Sequence, residues 1–258
     1  MKDQHMNPQQ GHWILAKMGK KVLRPGGKEL SLKMIENLNI TSNDDIVEFA
    51  PGLGFTAEIT LAKKPKSYTG VELNEEAAEI LKNKLKGDNV RIIIGNAAQS
   101  TLEDESVTKV YGEAMLTMHA DHRKSEIIRE AHRILKPGGI YAIHELGLTP
   151  DDISSEKKSH IQQELAKAIK VNARPLTASE WTELLEQEGF LVKKIETNPM
   201  HLLEPKRMID DEGFFRTLKI VFNILTNPSA RKRILAMRKV FRTYQNHLNA
   251  VAIIAEKK

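Results

Sequence analysis

Short apolar segments alternate with amphipathic segments along most of this 258-residue chain. Such alternation predicts strands separated by helices, the arrangement of a mainly parallel sheet with helices on both faces. Seven segments have the character of strands, and they are 45–50, 68–73, 90–95, 109–114, 139–146, 190–196 and 249–255. The predicted helices are 28–39, 56–64, 75–86, 121–136, 155–171 and 177–188. We therefore predict an α/β fold with a doubly wound, seven-stranded, mainly parallel sheet.

Two segments fall outside the alternation. Residues 1–27 precede the first regular element, and residues 200–247 form a long, basic, mostly helical stretch before the last strand. We predict an N-terminal arm or lid at 1–27, a core at 28–199, a helical cap insertion at 200–247 and the last strand of the core at 248–258. The alternative, that both segments only pack on the surface, remains open at this point.

The chain contains no cysteine, which excludes disulfides, thiolate metal sites and thiol nucleophiles. No metal site is predicted. The first residues lack the apolar core of a signal peptide, and no apolar stretch approaches the roughly 18 residues of a membrane span. We expect a cytoplasmic protein without a membrane span.

The stretch VEFAPGLGFTAEI at 47–59 places a glycine turn between a strand and a helix. Gly52 and Gly54 can adopt backbone angles that other residues resist, and the following helix directs free N–H groups toward the turn. Glu72 ends the next strand, where an acid can accept hydrogen bonds from both ribose hydroxyls. The combination predicts a nucleotide-binding turn.

A nicotinamide dehydrogenase is the first alternative, because GLGFTA also satisfies a loose dinucleotide-binding pattern. Three features argue against it. Glu48 is poorly placed beside a pyrophosphate but well placed for a cationic amino group. GNAA at 95–98 follows the third strand and offers Asn96 to an adenine edge, and RILKPGG at 133–139 leads directly into the fifth strand.

Five motifs together resemble the class I S-adenosylmethionine-dependent methyltransferases: VEFAPGLG, GVELN, GNAA, VYGEAMLTM and RILKPGG. The resemblance covers roughly residues 30–197 and is closest to the small-molecule branch, the type 11 and quinone or sterol C-methyltransferase-like enzymes. Ala50 and Pro51 stand where a Gly-x pair is common, and Asn96 replaces a more usual aspartate. Its side-chain oxygen can still accept a hydrogen bond from the adenine amino group.

The resemblance implies that the cofactor is S-adenosyl-L-methionine and the product S-adenosyl-L-homocysteine. It also implies a role for each matching residue. The methionine part of the cofactor would be surrounded by Glu48, Ala50, Gly52 and Gly54. The ribose would be bound by Glu72, the adenine would contact Leu73, Asn96 and Ala97, and the sulfonium would lie beside Glu113 and Ala114.

Methyl transfer by in-line displacement depends mainly on positioning and a dry pocket, so a general base is optional. The candidate catalytic residues at the carboxyl ends of the strands are His144, Glu113 and His119. His144 and its neighbour Glu145 point to opposite faces of a strand, so only one of them is expected to reach the pocket. A structural role for His144 and a capping or solvated role for His119 are the alternatives.

The acceptor is predicted to be a small molecule. An RNA methyltransferase is the alternative, because residues 206–242 hold ten Lys or Arg residues against three acids. Against it, Met237, Phe241, Tyr244 and Leu248 form one apolar stripe that fits a helical cap better than a nucleic-acid arm. A scaffold that binds cofactor without catalysis is a third hypothesis, and a homodimer is left open.

Overall fold

The computed structural model describes residues 10–258 and contains one mixed sheet flanked by helices. Residues 1–9 of the predicted arm lie outside the described residues. The strands are β1 Asp45–Phe49, β2 Ser67–Glu72, β3 Val90–Ile94, β4 Val107–Glu113, β5 Leu135–Leu148, β6 Leu176–Thr177, β7 Phe190–Pro199 and β8 Leu248–Lys257. The helices are α1 Gly11–Lys17, α2 Gly27–Asn37, α3 Phe55–Ala62, α4 Glu75–Lys84, α5 Asp121–Ile134, α6 Ser155–Ile169, α7 Ala178–Gln187, α8 Pro205–Glu212, α9 Phe214–Thr226 and α10 Pro228–Thr243.

The strand order is β3-β2-β1-β4-β5-β8-β7, and the five strands from β3 to β5 are parallel. Strand β8 runs antiparallel to both β5 and β7. The predicted α/β class and mainly parallel sheet are confirmed. The predicted count of seven strands is one too low, because β6 also pairs with β5. Two residues are too few to show a strand periodicity in sequence.

The strand and helix ends explain why the site lies at one edge of the sheet. Parallel strands β1, β2 and β4 all finish at that edge, and each is followed by a turn or helix start. The turn after β2 is fixed by Asn74, whose side chain accepts a hydrogen bond from Ala77 N and caps α4. Ligands of open α/β folds bind at this edge.

Helices cover the two faces of the sheet and create separate apolar layers. On one face, α2 and α4 bring Leu30, Met34 and Leu81 onto the strands. On the other face, α5 and α7 bring Ile127 and Trp181 onto them. The central strands β1 and β4 are therefore buried on both sides, as is usual in a parallel sheet.

A third apolar core lies at one end of β5 and β8 and joins α1, α6 and the three consecutive helices α8 to α10 to the sheet. The apolar stripe recognised in the sequence is buried there, with Met237, Phe241 and Tyr244 on α10 or directly after it. This core attaches residues 200–247 to the segment before α2. In the described part of the chain, no helix has the length and apolar character needed to cross a membrane.

Charged groups also attach the N-terminal segment to α8. The fully buried ammonium of Lys20 lies 3.6 Å from Asp211 Oδ2 and 3.5 Å from Glu212 Oε1. Glu212 Oε1 also accepts hydrogen bonds from the backbone N–H groups of Lys21 and Val22. Because both carboxylates are engaged by the segment 20–28, the arm and the cap are held together as one wall.

Candidate active site

A cavity of about 400 Å³ opens at the carboxyl ends of β1, β2 and β4. Its volume lies within the range of roughly 300–1,000 Å³ that is usual for small-molecule sites. Most of the residues predicted to bind the cofactor line it, namely Ala50, Gly52, Glu72, Leu73, Asn96, Ala97 and Glu113. The structure thus brings together residues that are widely separated in sequence.

The two glycines of the turn have different roles. Both have a left-handed backbone, with φ of +58° at Gly52 and +75° at Gly54. A Cβ on Gly52 would meet no atom within 4 Å and would project into open space beside the cavity. A Cβ on Gly54 would lie 2.7 Å from Leu81 Cδ2. Gly54 does not line the cavity, so its predicted contact with the cofactor is corrected to a packing role at the start of α3.

The Glu72 carboxylate is fixed in place by backbone groups. Its Oε2 accepts a hydrogen bond from Gly52 N at 2.9 Å, and its Oε1 accepts one from Asn74 N at 2.9 Å. Burial raises the pKa of Glu72, and these two backbone hydrogen bonds oppose that rise. Each carboxylate oxygen keeps a further lone pair, so Glu72 can still accept hydrogen bonds from a ligand hydroxyl pair.

Asn96 lines the cavity, but its side-chain oxygen is already engaged. It accepts hydrogen bonds from Ala98 N at 3.0 Å and from the Arg123 guanidinium at 2.6 Å. Since a carbonyl oxygen has two lone pairs, a hydrogen bond from an adenine amino group to this atom would have to displace one of these two donors. Arg123 lines the same cavity and was missed, because an arginine in the first turn of a helix carries no distinguishing signal.

Glu48 lies away from the cavity, which corrects its predicted role beside the cofactor. The side chain is buried, and its Oε2 accepts hydrogen bonds from the hydroxyls of Tyr68 at 2.6 Å and Tyr111 at 2.7 Å. The physical reason is strand alternation, because Val47 and Phe49 face one apolar layer and Glu48 faces the other. Burial raises the pKa of Glu48 to about 7, although the two tyrosine hydrogen bonds oppose the rise.

We expect Glu48→Gln to stabilise the protein at pH 8 by roughly 1 to 3 kcal/mol and to leave its stability unchanged near pH 4. An unfolded Glu48 ionises near pH 4.5, whereas the folded one keeps its proton until about pH 7. The native protein therefore loses stability as pH rises between these values, and glutamine removes that loss. Urea unfolding of both proteins at the two pH values measures the effect. The quantity compared is the free energy of unfolding of Glu48→Gln minus that of the parent. A smaller value at pH 8 than at pH 4 would refute the prediction.

Glu113 is the centre of a buried polar network. Its Oε1 accepts a hydrogen bond from Ser31 Oγ at 2.6 Å and contacts His144 Nδ1 at 2.7 Å, and its Oε2 lies 3.1 Å from Arg24 Nε and bonds with the Thr56 hydroxyl. Burial acts to raise the pKa of this carboxyl, but the Arg24 charge and the hydrogen bond with His144 outweigh it and lower the pKa to about 2. Glu113 is thus ionised at neutral pH.

His144 is removed from the cavity by the same network, so its predicted catalytic role is corrected to a structural one. The ring is fully buried, and its Nε2 lies 2.6 Å from the carbonyl oxygen of Pro25 while Nδ1 faces Glu113. Both partners are acceptors, so neither ring nitrogen is available to a substrate. Strands β4 and β5 pair Glu113 directly with His144, which explains the contact.

Of the predicted catalytic residues, Glu113 and His119 line the cavity, and His119 is the one that is only partly buried. Burial, together with the charges of Arg123 and Lys124, lowers its pKa. A neutral imidazole at physiological pH can accept a proton. Glu145 instead holds the loop after β4, because its carboxylate accepts hydrogen bonds from the backbone of Met115, Leu116 and Thr117.

A second, apolar cavity of about 90 Å³ adjoins the first. The two cavities share a wall formed by His12, Leu23, Ala114, Met118 and Val171. The remaining lining residues of the second cavity come mostly from the cap, α1 and α6, and include Leu15, Ile169, Met200, Met237 and Phe241. This cavity could not be predicted from the sequence, because its residues belong to four distant segments without a shared motif.

Comparison with known proteins identifies the family of this chain. A family model described as a methyltransferase domain matches residues 47–143, which contain the glycine turn, Glu72, Asn96 and Glu113. The chain belongs to the class I S-adenosylmethionine-dependent methyltransferases. The cofactor of this methyltransferase is therefore S-adenosylmethionine, as the motifs predicted.

Relatives match this methyltransferase over very different lengths. An uncharacterized protein of Haemophilus influenzae is 36% identical, over 96% of this chain and 98% of its own length. The phosphoethanolamine N-methyltransferase of Plasmodium falciparum is 20% identical, over 78% of this chain and 82% of its own. A probable ribosomal RNA small subunit methyltransferase A of Pyrococcus abyssi is 36% identical, but over only 28% of this chain and 26% of its own.

Solved structures confirm the fold. A phosphoethanolamine N-methyltransferase 2 of Haemonchus contortus, in complex with S-adenosyl-L-methionine, aligns with a TM-score of 0.72 at 19% identity. The alignment covers 97% of this chain and 58% of that one. The [4+2]-cyclase SpnF aligns with the same TM-score at 15% identity, over 97% of this chain and 94% of its own. The fold alone therefore does not fix the reaction.

The residues present fit an adenosyl cofactor. The open space beside Gly52 leaves room for a ligand against the backbone, and the fixed Glu72 carboxylate faces that space. We expect Glu72→Ala to weaken cofactor binding by about 1.5 to 3 kcal/mol, the scale of charge-assisted hydrogen bonds lost from a ribose. Calorimetric titration with S-adenosylhomocysteine measures the change. An unchanged dissociation constant together with an unchanged melting curve would show that Glu72 does not contact the ribose.

Proposed function

We propose that this methyltransferase transfers a methyl group to a small, predominantly apolar acceptor bound in the second cavity. The observation that supports the proposal is the shared wall of Ala114, Met118 and Val171 between the two cavities. An acceptor in the apolar cavity would reach the cofactor cavity without crossing solvent. His12 and Glu145 are the titratable side chains among the described lining residues of the second cavity, and Glu145 is held by the loop after β4.

The residues of the first cavity would bind and orient the cofactor. Gly52 leaves room for it, Glu72 binds the ribose hydroxyls, and Leu73, Asn96 and Ala97 form the adenine wall. Ala50 shapes the turn beside the methionine part. Glu113 holds Arg24 at the edge of the cavity, where the guanidinium can approach a carboxylate of the ligand. The bound cofactor supplies an electrophilic methyl group on its sulfonium.

The chain's contribution to the transfer would be alignment and exclusion of water. The wall between the cavities would set the approach of the acceptor atom, and the arm and cap would act as the lid that keeps the site dry. Gly11 and Leu15 of the arm and Met237 and Phe241 of the cap line the second cavity, which supports this role. If the acceptor atom carries a proton, neutral His119 is placed to take it.

The relatives support a small molecule more than RNA. The match to a phosphoethanolamine N-methyltransferase covers about four fifths of that relative, whereas the match to a probable RNA methyltransferase covers about a quarter of that relative. Two arginines of the basic segment, Arg238 and Arg242, are paired with Glu204 at 3.2 and 2.7 Å, and this one carboxylate offsets part of their charge at the protein surface. The small apolar cavity has no phosphate-binding cluster among its described lining residues, so the proposed acceptor is apolar and not a phosphate ester.

The test is an extract assay with methyl-labelled cofactor. Purified protein is incubated with protein-free cell extract, and the reaction is divided into an organic-solvent phase, an aqueous small-molecule fraction and an RNA fraction. The proposal expects the label in the organic phase. Label in the RNA fraction that disappears after ribonuclease treatment would contradict it and support the RNA alternative. Label confined to the aqueous fraction would contradict the apolar character of the acceptor.

A further inference from the structure

Helix α9 exposes a continuous apolar face, which is unusual for a helix on the outside of a protein. Its buried side consists of Thr217 and Ile220, with Ile224 partly covered. The opposite side projects large apolar side chains into solvent: Phe214 is 57% exposed, Phe215 85%, Leu218 52%, Phe222 65% and Leu225 57%. At 100° per residue these side chains share one arc of the helix.

The surroundings of this face are positively charged. No acidic residue occurs between Glu212 and Glu256, a stretch that contains all of α9 and α10. Lys219 borders the apolar arc, and exposed Lys232 and Lys239 flank Leu235, itself 54% exposed, on the solvent side of α10. In the described part of the chain, these three lysines form no ion pair with an acidic side chain. The surface therefore combines exposed aromatic rings with unbalanced positive charge.

We propose that this face, formed by the exposed apolar residues of α9 and the lysines beside them, docks on a membrane surface containing anionic lipids. Phenylalanine rings and leucine side chains on one side of a helix enter the boundary between headgroups and acyl chains, and neighbouring lysines bind anionic headgroups. Helix α9 would lie in the plane of the membrane and would not cross it. This inference does not depend on the proposed acceptor, although both the face and the apolar cavity belong to the same cap.

The charges around this face favour a membrane surface over a second copy of the chain and over nucleic acid. A symmetric pair of chains would place the same basic surface on both sides of the contact, and the like charges would repel. Nucleic acid would satisfy the lysines but would leave the rings of Phe215 and Phe222 without an apolar partner, because phosphates carry most non-specific contacts. An anionic lipid surface complements both the charge and the apolar arc.

The test is flotation with vesicles of phosphatidylcholine alone and of phosphatidylcholine mixed equally with phosphatidylglycerol. The intact protein should float with the mixed vesicles and much less with phosphatidylcholine alone. The double variant Phe215→Ser with Phe222→Ser should bind the mixed vesicles about tenfold more weakly or worse, since its lost rings supply the apolar insertion. Both side chains are mostly exposed, so the fold should be retained, and a melting curve checks this.

Two further variants make the result specific. Ile80→Ser with Leu191→Ser removes apolar side chains of lower exposure from other surfaces and should leave flotation unchanged. Replacing Lys219, Lys232 and Lys239 with glutamine should weaken binding to mixed vesicles and reduce its dependence on salt. Absence of flotation, or equal flotation of the phenylalanine variant, would overturn the proposal. The proposal would also be overturned if the intact protein formed a dimer, or bound RNA, and the phenylalanine variant did not. The face would then be a contact with a second copy of the chain or with RNA.

Discussion

Glu113→Gln is expected to destabilise the protein by about 3 to 5 kcal/mol near neutral pH, the usual cost of removing one partner from a buried charge pair. The variant would leave the Arg24 guanidinium, which is 11% exposed, and the buried ring of His144 without their carboxylate. Urea unfolding at pH 7 measures the loss. Glu79→Gln is the matched control, because Glu79 pairs with Lys82 at the surface with 60% of its side chain exposed. That change should cost less than about 1 kcal/mol.

The stabilisation by Glu113 should depend on pH. Its pKa falls from an ordinary 4.5 in the unfolded chain to about 2 in the folded protein. A carboxyl with a depressed pKa stabilises the folded state above its unfolded pKa, and this contribution is lost as pH falls toward the folded pKa. The difference between parent and Glu113→Gln should therefore be largest above about pH 5 and shrink toward pH 2. A difference that grows on acidification would contradict this account of the network.

Ile169→Trp is expected to reduce methyl transfer by more than about a hundredfold, because displacement of a reacting atom by about 1 Å can cost that much. Ile169 is partly buried at the end of α6 and lines the second cavity but not the first. An indole there would occupy the proposed acceptor space. Cofactor binding should change by less than about twofold, since no residue of the first cavity is altered.

Transfer is measured with labelled cofactor in the extract assay, and cofactor binding by titration with S-adenosylhomocysteine. Lys167→Trp is the matched control, because it adds the same side chain on the same helix at a position that is 71% exposed. It should leave both quantities unchanged. Equal transfer by the parent and Ile169→Trp would show that the acceptor does not bind in the second cavity.

The sequence was most informative where local geometry determines the structure. The alternation of strands and helices predicted the sheet, and Gly52 and Glu72 were recognisable because a left-handed turn and a strand-end acid have fixed spacing. The errors at Glu48 and His144 have a different origin. Glu48 lies near the carboxyl end of β1 and His144 pairs with Glu113 at the end of β4, but the side of the sheet they face and the partners they find depend on tertiary packing.

The second cavity could not be predicted from the sequence, for a related reason. Ile169, Met200 and Phe241 come from separate helices or loops, and an apolar residue in a helix has the same appearance whether it fills a core or lines a cavity. Asn96 was predicted only in part. Its position at the cavity was predictable from the motif, but the competing hydrogen bond from Arg123 requires knowledge of how α5 packs.

The cavity between Gly52 and Glu72 is expected to bind an adenosyl cofactor. Calorimetric titration of the protein with S-adenosylhomocysteine, and separately with NAD, tests it most directly. We expect saturable heat with S-adenosylhomocysteine and little or no heat with NAD. Binding of S-adenosylhomocysteine should be weaker in Gly52→Ala, whose added methyl group would enter the cavity. Tight NAD binding without heat from the adenosyl ligand, or equal affinity of the parent and Gly52→Ala, would contradict it.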